Sequence, residues 1–223
     1  VKQLKLASGD TAELAVKHRS GITGEHMELD GYNFIEGDDV SVYDHMNKHL
    51  LATMVQLNKD NEEAAHKVAM QVAAMNPVAL DEAHVAQDVK DKELEIAIQK
   101  TKEEQVQKAV SNALKKAGFN LYIAENEEHL NEGILKKEIT EADADEIRKI
   151  KKEVAEQKAA NLPEQMIQNI AKGRMNKFYK ENCLVDQEFQ FAEGDKISVS
   201  DWLKKQDKDL KIVDFKRFTL LAE

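Results

Sequence analysis

Residues 162–189, LPEQMIQNIAKGRMNKFYKENCLVDQEF, carry a helix with a glycine in its middle. Pro163 suits a first-turn position, since its ring fixes φ and its missing N–H has no partner to lose there. Met166, Ile167, Ile170, Ala171, Met175 and Phe178 then recur at helical spacing. Gly173 interrupts this run. A glycine inside a helix costs about 1 kcal/mol against alanine, so the expectation is that another backbone passes close to that face. Phe189 and Phe191 follow in what reads as an extended segment, where a period of two puts one ring in and one out.

Upstream, residues 62–77, EEAAHKVAMQVAAMNP, place Ala65, Val68, Ala69 and Val72 in a narrow stripe of small side chains. Asn61 starts this helix and Asn76 with Pro77 ends it. Between residues 27 and 57 the pattern shortens to β-like runs, roughly 29–35, 40–44 and 50–57. Turns fall at Glu36, Gly37 and Asp38, and between His45 and His49. In the third run Leu51, Thr53, Val55 and Leu57 alternate with Leu50, Ala52 and Met54. Short connections imply an antiparallel three-stranded meander, with the small-residue stripe lying flat on it.

From residue 81 the chain is long, charged and helical. Val85, Val89, Leu94 and Ile98, then Val106, Ala109, Val110 and Ala113, mark its apolar side until Gly118. Thr140 with Asp143 resembles a capping box, and Ile147, Ile150 and Val154 continue the helix that it starts. Neither stripe is wide enough for burial on all sides, so the two helices are expected to pair as a projecting arm. Phe119, Leu121, Tyr122 and Ile123, with a turn at Gly133, form a small cap at its tip. A short helix at 198–205 with Trp202 and a strand near 212–220 close the chain. The fold class is α+β: a small antiparallel sheet packed with helices, plus a long projecting antiparallel helical hairpin. Its expected divisions are 1–80, 81–160 and 161–223.

The 223 residues suffice for one large or two small domains with a sizeable core. A charged fraction of 33%, an aromatic fraction of 5% and only 2 prolines suit long solvated helices more than a sandwich or barrel. The formal charge of -10 argues against strong nucleic-acid binding; Lys115, Lys116 and Arg148 to Lys152 are the local basic stretches. Cys183 is the sole cysteine, which excludes an intrachain disulfide and fits a reducing, cytoplasmic compartment. No apolar run reaches membrane-spanning length, and no basic-then-apolar leader is present. Val1 is not methionine, and the sequence reads as part of a longer architecture.

Catalytic chemistry has no anchor. His45 and His49 are four apart but flank a turn, where that spacing does not bring imidazoles together, so no metal site is assigned. Cys183 lacks a CxxC partner and reads as a packed thiol. Most carboxylates belong to a solvated face, and G-x-x-x-x-G-K-[ST] is absent, so no cofactor is implied.

Pro163, Ile167, Ile170, Gly173, Arg174, Lys177, Phe178, Glu181, Leu184, Gln187 and Phe189 stand in the order and spacing of the C-terminal half of bacterial elongation factor Ts. Residues 62–77 resemble that family's small-residue helix, and Gly24 and Glu25 in GITGEHMEL resemble the approach to its first C-terminal strand. Residues 100–157 look inserted relative to the family's shorter hairpin. The resemblance implies a non-enzymatic guanine nucleotide exchange factor for elongation factor Tu. It implies docking on the third domain of that GTPase through Gly24, the exposed side of the helix around Met70, and Phe189 to Phe191. Gln71 stands where the family usually has histidine. Gly173, Arg174, Lys177 and Phe178 fit hairpin-to-core architecture. The family's Thr-Asp-Phe-Val wedge is absent; Asp214 and Phe215 belong to the last strand. The rival reading is a structural or oligomerising adaptor, self-associating through the arm without a GTPase.

Contacts within a helical hairpin are mostly local to it. Replacing residues 100–157 by a short turn is therefore expected to leave the sheet and its helices folded. Retained cooperative unfolding and protease resistance of the remainder check this; loss of both would make the arm part of the main core.

Overall fold

Every second side chain of β2 (Leu51–Leu57) is buried: Leu51, Thr53, Val55 and Leu57 share one face. In the computed structural model, which describes residues 1–220, this strand is central in an antiparallel sheet. β1 (Val40–Asp44) lies on one edge and β3 (Ile212–Thr219) on the other. Helix α2 (Glu62–Met75) packs on the buried face. Its stripe of Ala65, Val68, Ala69 and Val72 is no more than 4% exposed. Small side chains let the helix backbone come close enough for the Thr53 hydroxyl to donate to the Ala69 carbonyl at 2.8 Å. Asn61 caps the helix by accepting from the Ala64 N–H, and Asn76 ends it in the left-handed conformation, φ 43°. The fold is α+β.

The expected three-strand meander is corrected in one member. Residues 29–35 form no strand; the third strand is β3, from the other end of the chain. Phe218 of β3 pairs with Ala52 and so lies on the sheet face away from α2. Gly31 passes directly over that ring, where a Cβ would sit 2.5 Å from Phe218 Cε2. The segment thus crosses a face of the sheet instead of joining an edge. Also unforeseen is α1 (Ala12–Thr23), capped by Thr11, whose hydroxyl accepts from the Leu14 N–H, and ended by Gly24 at φ 72°. It buries no residue fully; Ala12, Ala15 and Val16 are its part-buried apolar side chains.

Residues 81–187 form a second unit, apart from the unit of residues 1–80 and the chain from 188 onward. It contains α3 (Gln87–Lys116), α4 (Glu127–Leu135), α5 (Glu141–Ala160) and α6 (Glu164–Asn182). α3 packs on both α5 and α6. The expected division at 160/161 therefore falls inside this unit, because α6 is held by α3, partly through an Arg174–Glu104 ion pair. The capping box is present: the Thr140 hydroxyl accepts from the Asp143 N–H at 3.1 Å, and the Asp143 carboxylate accepts from the Thr140 N–H at 2.7 Å. Val110, Leu114, Ile123, Ala124, Leu130, Ala144 and Ile147 form one buried cluster, so the cap shares a core with the ends of α3 and α5. Leu94, assigned to the apolar stripe, is 38% exposed.

Neither glycine has the role expected of it. Gly133 is not a turn residue: it lies buried in α4, where a Cβ would meet Ile123 Cγ2 at 3.0 Å and Ile139 Cγ1 at 3.3 Å. The reversal comes at Lys137, φ 60°, whose N–H donates to the Ile134 carbonyl. Gly173, for which a close backbone was expected, is exposed in α6 and a Cβ there would meet nothing within 4 Å. Gly173→Ala is expected to stabilise the protein by about 0.5–1 kcal/mol through helix propensity. Gly133→Leu is expected to destabilise it by about 1–3 kcal/mol through overpacking. Denaturant midpoints at unchanged slope measure both.

Candidate partner-docking surface

The chain leaves α6 and re-enters the first unit at Glu188, where the turn carrying Phe189 and Phe191 is fixed from two sides. On one side Glu188 bridges Ser198, and the Phe189 N–H donates to the Ile197 carbonyl at 2.9 Å. On the other side is Gln71 of α2, which is fully buried. Its Nε2 donates to the Glu188 carbonyl at 3.1 Å, and its Oε1 accepts from the Gln190 N–H at 3.0 Å. Beyond Gln190 the chain turns, with Glu193 at φ 56° and Gly194 at φ 101°. The extended segment expected through Phe191 therefore stops at Phe189, and a period of two does not set the direction of the second ring.

Phe189 is 2% exposed, its ring centroid 4.5 Å from that of Trp202 in α7 (Val199–Gln206). Phe191 is half-buried and meets Phe189 edge-on at 5.9 Å. Both rings thus belong to one aromatic cluster, with Phe191 at its margin. Lys67 borders it: Nζ lies 5.6 Å from the Trp202 ring centroid, 2.9 Å from Glu63 and 3.7 Å from Glu193. The hydrogen bond to Glu63 raises the lysine's pKa and lowers that of the glutamate.

The family described as "Elongation factor TS" matches residues 1–126 and 124–221. The elongation factor Ts of Phocaeicola vulgatus is 53% identical over 223 residues, covering 100% of this chain and 67% of that relative. That of Parabacteroides distasonis is 52% identical with the same coverage. The more distant one of Porphyromonas gingivalis is 32% identical over 221 residues, 99% of this chain and 59% of its own.

The chain belongs to the elongation factor Ts family.

The two matched stretches meet at residues 124–126, inside the cap. Of the residues that the family resemblance marked for docking, Phe189 and Phe191 share a turn. Met70 is half-buried on α2 beside Gln71, whose side chain holds that turn. Gly24 is placed differently. It is the left-handed C-cap of α1, its N–H donating to the Ser20 carbonyl, and it lines a pocket with Lys2, Glu13, Lys17 and His26 that includes none of the other three. A positive φ alone accounts for a glycine there.

Sequence reasoning missed the structural role of Gln71. The available signal was a neutral amide between Met70 and Val72 on the buried flank of an otherwise apolar helix, where it has to find both a donor and an acceptor. His45 hydrogen-bonds Tyr43 through Nδ1 at 3.0 Å, while His49 pairs with Asp44, so the two histidines have separate partners. The basic stretch at 148–152 is partly engaged within the tip. Arg148 bridges Glu127 and Asp145, which push its pKa up, and Lys151 donates to the carbonyls of Ala124 and Glu125. Cys183 is buried, and burial, with a smaller contribution from Asp186, pushes its thiol up to about 11.

Phe189→Ala is expected to cost about 3–5 kcal/mol of stability, as for a fully buried ring. Phe191→Ala is expected to cost much less; comparable losses in chemical denaturation would place Phe191 in the core. Cys183 gives a second expectation. A thiol whose folded pKa lies above its unfolded value stays neutral in the native state while the unfolded chain ionises, so unfolding gains as pH rises. Its contribution is present in full below about 9 and lost as pH rises to about 11. The stability difference between the wild type and Cys183→Ala, measured at pH 8 and pH 10.5, is expected to shrink at the higher pH.

Proposed function

We propose that this chain docks on elongation factor Tu and serves the exchange of GDP on that GTPase, as the docking part of an elongation factor Ts acting in cytoplasmic protein synthesis. The observation that carries this reading is family membership along the whole chain. The aromatic turn of Phe189 and Phe191 supports it by presenting a half-buried ring beside the flank of α2.

Exchange of this kind needs no bond chemistry and no cofactor. A factor that binds the empty GTPase more tightly than the GDP-loaded one shifts the equilibrium towards release. Reciprocity then requires GDP to weaken factor binding by the same ratio, typically about 5–150-fold. Of the four residues marked for contact, Met70 and Phe191 are half-buried and carry this reading; Phe189, 2% exposed, backs Phe191 from within the core, and Gly24 lines a separate pocket. Among the described residues no helix is long and apolar enough to cross a membrane. The adaptor reading has no observation in its favour beyond the helical arm itself.

Two measurements test the proposal. Capture of purified elongation factor Tu by residues 1–223 is expected to weaken as GDP is added; GDP-independent capture, or none, counts against it. In stopped flow with a fluorescent GDP analogue, the same residues are expected to bind while scarcely accelerating release, since they lack the Thr-Asp-Phe-Val wedge. Full acceleration would show that the displacing residues lie in this chain.

A further inference from the structure

An extended residue projects its own N–H and C=O to one edge, while its two neighbours project a C=O and an N–H to the other. On one edge of residues 188–190, Phe189 is bonded to Ile197. On the opposite edge the Glu188 carbonyl and the Gln190 N–H are met by a single group, the Gln71 carboxamide, at 3.1 and 3.0 Å. A residue of a neighbouring parallel strand brackets its partner in the same way, its own N–H and C=O pointing to one side and meeting the C=O before and the N–H after that partner. Gln71 therefore stands in for a strand, and it does so immediately before the chain turns away with Phe191.

We propose that Gln71 is a positioning residue for partner docking: by clamping the backbone on both sides of Phe189, it fixes the direction in which the turn bearing Phe191 leaves the core. This rests on the docking reading above. The side chain is fully buried, so it acts through the turn and not by touching the partner. Replacing the amide by an apolar group of similar length leaves both backbone groups without that partner and frees the turn, while the aromatic cluster of Phe189 and Trp202 keeps its packing.

The test is a double-mutant cycle on residues 1–223 with purified, nucleotide-free elongation factor Tu, combining Gln71→Met and Phe191→Ala. Gln71→Met is expected to weaken binding about 5–30-fold when Phe191 is present and less than about twofold in the Phe191→Ala background, because a clamp acting through a ring has nothing to position once the ring is gone. Exchange of the Gln190 amide, followed by NMR, is expected to accelerate in Gln71→Met. A loss of folding alone would move affinity equally in both backgrounds. If Gln71→Met does not unfold cooperatively, Gln71→Glu, which keeps the shape and an acceptor but not the donor, replaces it in the cycle. Equal losses in the two backgrounds, or an unchanged Gln190 amide, overturn the proposal while leaving the docking reading intact. Absence of wild-type binding overturns the docking reading, and the proposal with it.

Discussion

The close seating of α2 on β2 is the constraint from which the first unit follows. Alanines and valines at 65, 68, 69 and 72 remove the bulk that would hold helix and sheet apart, and the Thr53 hydroxyl reaches the Ala69 carbonyl across the gap. A larger side chain in that stripe would have to displace the helix or distort a sheet whose four inward residues on β2 are all buried. The same seating fixes the rotation of α2. With Val68 and Val72 turned to the sheet, Gln71 is turned to the chain at 188–190 and Met70 lies beside it at the margin. The proposed docking surface is thus a by-product of how closely a helix packs on a sheet.

The second unit solves a different problem. Long helices with narrow stripes cannot bury their own apolar side, and α3 meets this by packing on α5 and on α6. The cap adds a core of its own: Leu130 of α4 is fully buried in a cluster with Ile123 from the preceding loop and Ile147 from α5. The cap is therefore a folded element with internal packing. Its polar anchors are local too, with Arg148 and Lys151 of α5 tied to Glu127 and to the carbonyls of Ala124 and Glu125.

The glycines show why a shared sequence signal has more than one cause. Gly133 and Gly173 each break a helical pattern, and each costs helix propensity. One is packed tightly against the Ile123 and Ile139 side chains, which would have to give way to a methyl group, and the other faces open space. Gly24 and Gly194 belong to a third kind, required by a positive φ at the end of a helix and in a turn. Nothing within a few residues of these positions separates the three kinds, because the atoms that decide come from elsewhere in the chain or from the backbone path itself.

The sequence by itself determined what local chemistry controls. The alternation in β2, the stripe and caps of α2, the Thr140–Asp143 capping box and the short helix with Trp202 are each written within one or two turns of chain, where propensity and periodicity act. The pattern along residues 162–189 also determined the family, since a long ordered string of side chains survives as a string whatever it packs against. Tertiary structure alone decided which strand completes the sheet, that residues 29–35 cross its outer face over Phe218, that α6 belongs with α3, and that Gln71 clamps the turn bearing Phe191. Each of these joins residues far apart in the chain. A donor, an acceptor or an open sheet edge in one segment does not specify its partner in another until packing has brought the two within hydrogen-bonding reach.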